Sequence, residues 1–272
     1  MKLGIVAGNR LLPIILAKAV KQKTPQIELV AFCFYHETSA LIKKYADKTH
    51  WFSVGSLGSL RDVIKEEGLT ECIMAGQITP LRIFNRKKWD NELIRLVEET
   101  KDMRPHTIFS GIISYLEQQG VKFIDSTTYL KENLASNGPM NKLNYVGEVN
   151  EDIEFGVKMI SRFVDLDIGQ TIVVKNKSVV SVEALEGTDN TIKRGAQLAG
   201  GGCTVFKFSK TNQDLRFDVP VVGMHTLSLL RKIKASALVL EANKVLILEK
   251  VKFLELASKH RIPVVGVNRQ AC

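Results

Sequence analysis

The chain has 272 residues, 45% of them apolar and 25% charged, with a formal charge of +9. That profile excludes disordered and fibrous proteins and fits a globular one with a full core, in one large or two ordinary domains. No apolar run approaches the roughly 18 residues of a membrane-spanning helix, and MKLGIVAGNR reads as a buried strand, not as a signal peptide, so a cytoplasmic protein is expected.

Cys33, Cys72, Cys203 and Cys272 have neither metal nor disulfide spacing. Cys33 and Cys72 lie inside apolar runs and are expected as small core residues. The positive charge is spread out: residues 1–130 carry 18 Lys/Arg against 14 Asp/Glu, and residues 131–272 carry 20 against 15. This suits anionic small molecules or an anionic membrane surface at least as well as nucleic acid. No recognised nucleic-acid motif is present.

Lys2–Ala7 is an apolar run followed by Gly8-Asn9-Arg10 and then LLPIILAKAVKQK at helical spacing. Strand, tight turn and helix point backbone N–H groups and a helix dipole at whatever lies above the turn, which fits an anion. A plain βα turn explains the same residues. Ile27–Tyr35, His50–Val54 and Glu71–Met74 are further strands, with helices over Leu41–Tyr45 and Leu57–Glu67, the latter closed by Gly68. Strands alternating with helices predict a parallel α/β sheet, with ligands at the carboxyl ends of its strands. Gly8-Asn9 and Gly76-Gln77 are therefore candidates for one crevice. Glu37 follows the second strand, where an NAD-binding fold places its ribose acid.

Arg82, Arg86, Lys87, Lys88 and Trp89 form a basic, aromatic segment. It reads as a solvated helix face or as a contact with anionic lipid headgroups. Pro105-His106-Thr107 opens a helix over Ile108–Gln119, where His106 is a candidate donor to phosphate. Val121–Ile124 is a last strand, and residues 131–150, rich in Asn and Gly, read as a linker.

In the second half, Glu151–Val164 is an amphipathic helix. Thr171–Lys175 and Val179–Val182 form a hairpin around Asn176-Lys177-Ser178. Glu186-Gly187-Thr188-Asp189 precedes a helical stretch, Asn190–Ala199, with Thr188 or Asp189 as N-cap. Cys203–Phe208 is a strand and Ser209–Asp218 a loop. Strand, turn, helix and strand over Ala237–Leu240, Val245–Leu248, Phe253–His260 and Ile262–Val267 complete an α/β pattern. Asp214 and Asp218 flank Arg216, with Lys210 nearby. Such a set supplies the oxygen ligands and charges needed for Mg²⁺ and a diphosphate. It reads equally as a surface ion-pair cluster.

AGNR followed by an LP helix, AGQITP, DIEFG, LDIGQTIVVK, VEALEGTD and KTNQDLRFDVPVVG resemble the two-domain UDP-2,3-diacylglucosamine pyrophosphatases of lipid A biosynthesis. The resemblance runs from about residue 3 to about residue 267 and is densest over 165–223. It departs from the family pattern at Pro105-His106-Thr107, at Asn243 and over residues 81–104, which lack the family's apolar, Ala-rich helix.

The resemblance implies an N-terminal Rossmann-like parallel-sheet domain (1–134) and a C-terminal catalytic α/β domain (135–272), with the lipid nucleotide between them. It also implies Mg²⁺-dependent hydrolysis to UMP and 2,3-diacylglucosamine 1-phosphate by water attack on the sugar-side phosphorus. A homodimer peripheral to the cytoplasmic face of the inner membrane is implied as well. Asp218 and Asp214 are then the catalytic candidates, and with Asp189 the metal candidates. Asp218 is preferred because it abuts a strand. Gly8, Asn9, Gly76, Gln77, His106, Thr107, Gln170, Lys175, Glu186, Gly187, Thr188, Asp189, Lys210 and Arg216 are the substrate-binding candidates. The alternatives are an NAD-dependent oxidoreductase and a non-enzymatic basic module that binds nucleic acid.

Overall fold

A computed structural model describes residues 1–79, 82, 85–100 and 104–269. Cys272 and part of the basic segment after Pro80 lie outside them. The chain divides into two compact units, residues 1–130 with Asp214–Asp218, and residues 131–213 with the chain from Val219 onward.

In the first unit, β1 (Lys2–Ala7), β2 (Glu28–Phe34), β3 (Lys48–Phe52), β4 (Glu71–Ala75) and β5 (Lys122–Phe123) form a parallel sheet in the order β3-β2-β1-β4-β5. This is the expected Rossmann-like sheet. Its strands are near-continuous apolar runs, as a sheet buried on both faces requires. The helices are α1 (Leu12–Lys23), α2 (Leu57–Glu66), α3 (Asn91–Thr100) and α4 (Pro105–Glu117), and Ala40–Lys44 is a single 3-10 turn. α4 begins at Pro105 and not at Ile108: Arg104 is extended before it, and a proline in the first turn loses no hydrogen bond. Leu57, Leu60, Ile64, Leu93, Leu96, Ile108 and Leu116 pack from α2, α3 and α4 onto Val6, Phe32 and Cys72 of the sheet. Each such side chain, fully buried, contributes about 1.5–3 kcal/mol.

Strand order reverses between β1 and β4, and there the two following turns interlock. The Gly8 N–H donates to the Ala75 carbonyl at 2.8 Å and the Asn9 N–H to the Gln77 carbonyl at 2.7 Å. A Cβ on Gly8 would stand 2.4 Å from the Gln77 carbonyl oxygen, so this approach of two backbones requires glycine.

The second unit holds a six-stranded sheet, β6-β13-β11-β9-β7-β8, from β6 (Gly138–Pro139), β7 (Thr171–Lys175), β8 (Ser178–Val182), β9 (Thr204–Lys207), β11 (Ala237–Glu241) and β13 (Val264–Val267). β9, β11 and β13 are parallel, while β6 and the β7–β8 hairpin run antiparallel at the edges. The hairpin turn places Asn176 and Lys177 at φ +52° and +54°. Such a turn matches strand twist, and the Asp152 carboxylate holds it by accepting from both backbone N–H groups, at 3.2 and 2.6 Å. The helices are α5 (Glu148–Phe163), α6 (Gly187–Ala199), α7 (Met224–Lys232) and α8 (Lys250–Lys259), and β10 (Val221–Val222) pairs with β12 (Leu246–Ile247).

Residues 131–150 are not a linker, because β6 pairs with β13 and buried Asn141 bonds the Ile262 carbonyl and the Val264 N–H. The structure also adds α7 to the expected elements.

Candidate active site

At the carboxyl ends of the first sheet, Asn9, Glu37 and Thr79 form one half-buried polar knot around the buried Glu37 carboxylate. The Asn9 amide donates to Glu37 Oε2 at 2.6 Å, and the Thr79 N–H and hydroxyl donate to the same oxygen, each at 3.1 Å. Arg82 Nε stands 3.0 Å from Glu37 Oε1, although it is not aligned as a hydrogen bond. Glu37 thus ties the turns after β1, β2 and β4 together. Asn9 Oδ1, also buried, has no hydrogen-bond partner among the described residues. The expectation that the Gly8 and Asn9 N–H groups face a phosphate is not met, since Ala75 and Gln77 carbonyls already occupy them.

Beside this knot lies a cavity of about 360 Å³. Gly8, Gly76, Gln77, His106 and Asp218 line it together with apolar side chains of α2, α3 and α4. Asp218 comes from the segment Asp214–Asp218, far along the chain, and the first unit holds that segment by several bonds. Arg216 is pinned between two carboxylates: Nε and Nη2 donate to Asp214 at 2.8–3.2 Å, and Nη1 donates to Glu117 of α4 at 3.0 and 3.1 Å. The Ser126 hydroxyl reaches the carbonyls of Arg216 and Met74, and the Ser126 N–H donates to the Leu215 carbonyl. The Phe217 ring packs on His106 (5.2 Å) and Phe109 (5.9 Å). The Asp218 N–H closes a helical turn on the Asp214 carbonyl at 2.9 Å.

Burial alone would raise the Asp214 carboxyl, but hydrogen bonds from the Arg216 side chain and backbone outweigh it and hold Asp214 below the ordinary range. Asp214 and Arg216 therefore neutralise each other. Asp214 and Arg216, the candidates for metal and phosphate contact, are thus engaged with each other and with Glu117. The ion-pair cluster considered for these residues is what the structure holds, and it extends to Glu117, which the sequence reading missed.

In the second unit, α6 has no side-chain cap from Thr188 or Asp189; its N-cap position is Glu186. Thr188 lies within the first turn, where its hydroxyl donates to Glu183 at 2.9 Å and accepts from Lys207 Nζ at 2.7 Å. Lys207 is a lysine buried at the end of β9. The sequence reading passed over it, although a cation closing the apolar run TVFKF was a visible signal. Asp189 pairs with His225 at 3.1 Å, and Glu186 with Arg194. Gly187 opens the helix at φ +76°. The Gln170 N–H donates to Glu183 at 3.3 Å, so Gln170 lies with this group.

Lys175 does not. Its ammonium donates to the Ala199 and Gly201 carbonyls at 2.7 and 2.9 Å, capping the other end of α6. A 13-residue helix is about 20 Å long, so Lys175 is no partner for Thr188. Lys210 pairs with Asp167 at 2.8 Å.

Trp89 corrects the lipid-headgroup reading: it is buried in the first unit's core, with Arg86 over its ring at 5.6 Å. Cys33 and Cys72 are buried as expected, and burial pushes both thiols up to about 12. No helix among the described residues is long and apolar enough to cross a membrane. Among the described residues no group of three His, Cys, Asp or Glu side chains could hold a metal. Mg²⁺ usually takes one or two carboxylates plus substrate phosphates. Asp218 is the carboxylate that lines the cavity, and it is the residue that would hold such an ion there.

Fold and loops define a two-unit α/β protein with a Rossmann-like first half and a carboxylate-bearing loop that lines its cavity. The model of the LpxI N-terminal domain matches residues 2–133, and that of the LpxI C-terminal domain matches residues 136–265. The chain belongs to the LpxI family, as the motif resemblance implied. It is 24% identical to the UDP-2,3-diacylglucosamine pyrophosphatase LpxI of Caulobacter vibrioides over 99% of this chain and 98% of that protein. Solved structures with local similarity include a biotin carboxylase domain of a thermophilic 2-oxoglutarate carboxylase (13% identity, TM-score 0.27) and a glycinamide-RNase-transformylase T from Mycobacterium tuberculosis (14%, TM-score 0.26). The aligned parts are 63% and 68% of this chain but 34% and 44% of those chains, and at such TM-scores they carry no argument about fold or function.

Proposed function

We propose that the protein hydrolyses the pyrophosphate of UDP-2,3-diacylglucosamine, giving UMP and 2,3-diacylglucosamine 1-phosphate. The observation that carries this reading is that Asp218 lines the same cavity as the Gly8 and Gly76-Gln77 turns, in a chain that matches the family along both halves. Pyrophosphate hydrolysis needs a positioned water and electrostatic stabilisation, with little covalent chemistry from the protein.

In this reading the Asp218 carboxylate accepts a hydrogen bond from the attacking water and directs it at the sugar-side phosphorus. The bond from that phosphorus to the bridging oxygen breaks, and UMP leaves with that oxygen. Mg²⁺, when bound, would neutralise phosphate oxygens, with Asp218 as its protein ligand. Arg216, Asp214 and Glu117 act as positioning residues: they fix the backbone from which Asp218 projects. In the second unit, Lys207 and Thr188 at the start of α6 are the candidates for anion binding.

The test is release of UMP from the lipid nucleotide by purified protein, with and without Mg²⁺. Absence of release under either condition would sink the reading. Release without any dependence on Mg²⁺ would remove the metal from it.

A further inference from the structure

We infer that Glu183 is a positioning residue: acting through the Thr188 hydroxyl, its carboxylate aims the Lys207 ammonium at a phosphate of the substrate. This rests on the proposed reaction and deepens it, since it names what holds a cation that the reaction uses.

Three separate segments of the second unit meet at this one side chain. Glu183 Oε1 accepts from the Thr188 hydroxyl, in the first turn of α6, at 2.9 Å. Glu183 Oε2 accepts from the Gln170 N–H, in the turn before β7, at 3.3 Å. The same Thr188 oxygen accepts from Lys207 Nζ, at the end of β9, at 2.7 Å. Proton counting gives this chain of bonds one direction. An ammonium can only donate and an ionised carboxylate can only accept. The single Thr188 hydroxyl proton therefore goes to Glu183, and an oxygen lone pair is left facing Lys207. Both bonds have a charged end, which makes them roughly twice as strong as neutral ones.

The carboxylate is itself held firmly. The Glu183 N–H donates to the Thr171 carbonyl at 2.8 Å, and a Cβ on Gly169 would stand 2.2 Å from the Glu183 carbonyl oxygen. The backbone that carries Glu183 is thus clamped between β7 and the turn before it. The other two acids of the loop have different partners: Glu186 pairs with Arg194, and Asp189 with His225. Lys207 is only 7% exposed, so its stem has little room to swing and the bond to Thr188 sets where the ammonium points. A displacement of about 1 Å in such a group costs on the order of 10²-fold in rate. Glu183 removes that freedom by fixing which way the Thr188 hydroxyl turns.

The test is a double-mutant cycle on kcat with UDP-2,3-diacylglucosamine, at a temperature where thermal melts show every variant folded. Glu183→Gln leaves one side-chain oxygen for the two donors, Thr188 and Gln170, that now have one each. It should lower kcat about tenfold with KM changed less than about threefold. Thr188→Val should lose at least as much, and Thr188→Ser, which keeps the hydroxyl, should recover most of that loss. In a Lys207→Met background, Glu183→Gln should cost less than about twofold further, because the group it positions is gone. The same loss in both backgrounds, wild-type kcat in Glu183→Gln, or Thr188→Ser no better than Thr188→Val would overturn the inference. If the wild type releases no UMP, the proposed reaction has failed. The relay is then judged by NMR of the Lys207 ammonium during titration with inorganic pyrophosphate. A shift in the wild type whose midpoint rises about tenfold in Glu183→Gln keeps it; no shift, or the same midpoint in both proteins, removes it.

Discussion

The ion-paired Arg216 gives the sharpest separation between positioning and direct substrate contact. Arg216 joins Asp214, two residues away, to Glu117, 99 residues away. The side chains are about a third exposed for Arg216 and Glu117, and 20% exposed for Asp214. With that much solvent, each pair contributes at most about 1 kcal/mol. Arg216→Ala should therefore destabilise the first unit by about 1–2 kcal/mol, a fall of roughly 3–8 °C in its Tm.

The loss of activity should be larger than the loss of stability. A displacement of about 1 Å in a positioned group costs on the order of 10²-fold in rate, so kcat should drop about a hundredfold with KM little changed. Glu117→Gln distinguishes the mechanisms, because glutamine keeps a carbonyl to accept the Phe123 N–H that Glu117 now binds at 3.2 Å. It should lower kcat about tenfold by loosening Arg216 alone. Steady-state kinetics with the lipid nucleotide, alongside thermal melts, read both variants. If Glu117→Gln keeps wild-type kcat while Arg216→Ala raises KM strongly, Arg216 touches phosphate and the positioning argument is wrong.

Other consequences can be measured independently. Gly76 stands at φ +87°, with its Cβ direction 2.5 Å from the Asn9 carbonyl oxygen; Gly76→Ala should cost about 1–3 kcal/mol in urea unfolding, and an unchanged midpoint would refute the interlocked turns. Lys207→Met should preserve the circular dichroism spectrum and cut turnover about 10–100-fold, the worth of one charge-assisted hydrogen bond; unchanged turnover would take Lys207 out of the site. Hydrogen bonding from Lys48 holds the Glu67 carboxyl at about 2, against the upward push of burial and with His50 and Lys2 assisting. Because the folded value is depressed, the stabilisation is complete above the ordinary value of about 4.5 and is lost as pH falls toward 2. The gap in urea midpoint between wild type and Glu67→Gln, worth less than about 1 kcal/mol, should be present at pH 6 and shrink at pH 3; a gap that widens on acidification contradicts the assignment.

Local pattern was a good guide wherever partners are near in sequence or an element carries its own period. Lys2–Ala7 with its glycine turn, and the hairpin through Asn176-Lys177, were legible because their rules are local. Gly138–Pro139 was misread as linker because its partner strand, Val264–Val267, lies more than a hundred residues away. The Asp214–Asp218 segment shows the same limit. The sequence marks its charges, but its partners Glu117 and Ser126 carry no signal of the pairing. That pairing joins Asp214 and Arg216 to Glu117, a contact the sequence does not announce. The cavity was invisible for a related reason, since several separate segments each supply only a few apolar side chains that read as ordinary core.

The central claim is that Asp218 carries the hydrolysis of the lipid nucleotide. The direct measurement is single-turnover UMP release from UDP-2,3-diacylglucosamine by the wild type and by Asp218→Asn, with substrate affinity measured on both. The account predicts Mg²⁺-dependent release by the wild type, and loss of at least a hundredfold in the variant with affinity retained within a few-fold. Near-normal release by Asp218→Asn would contradict it.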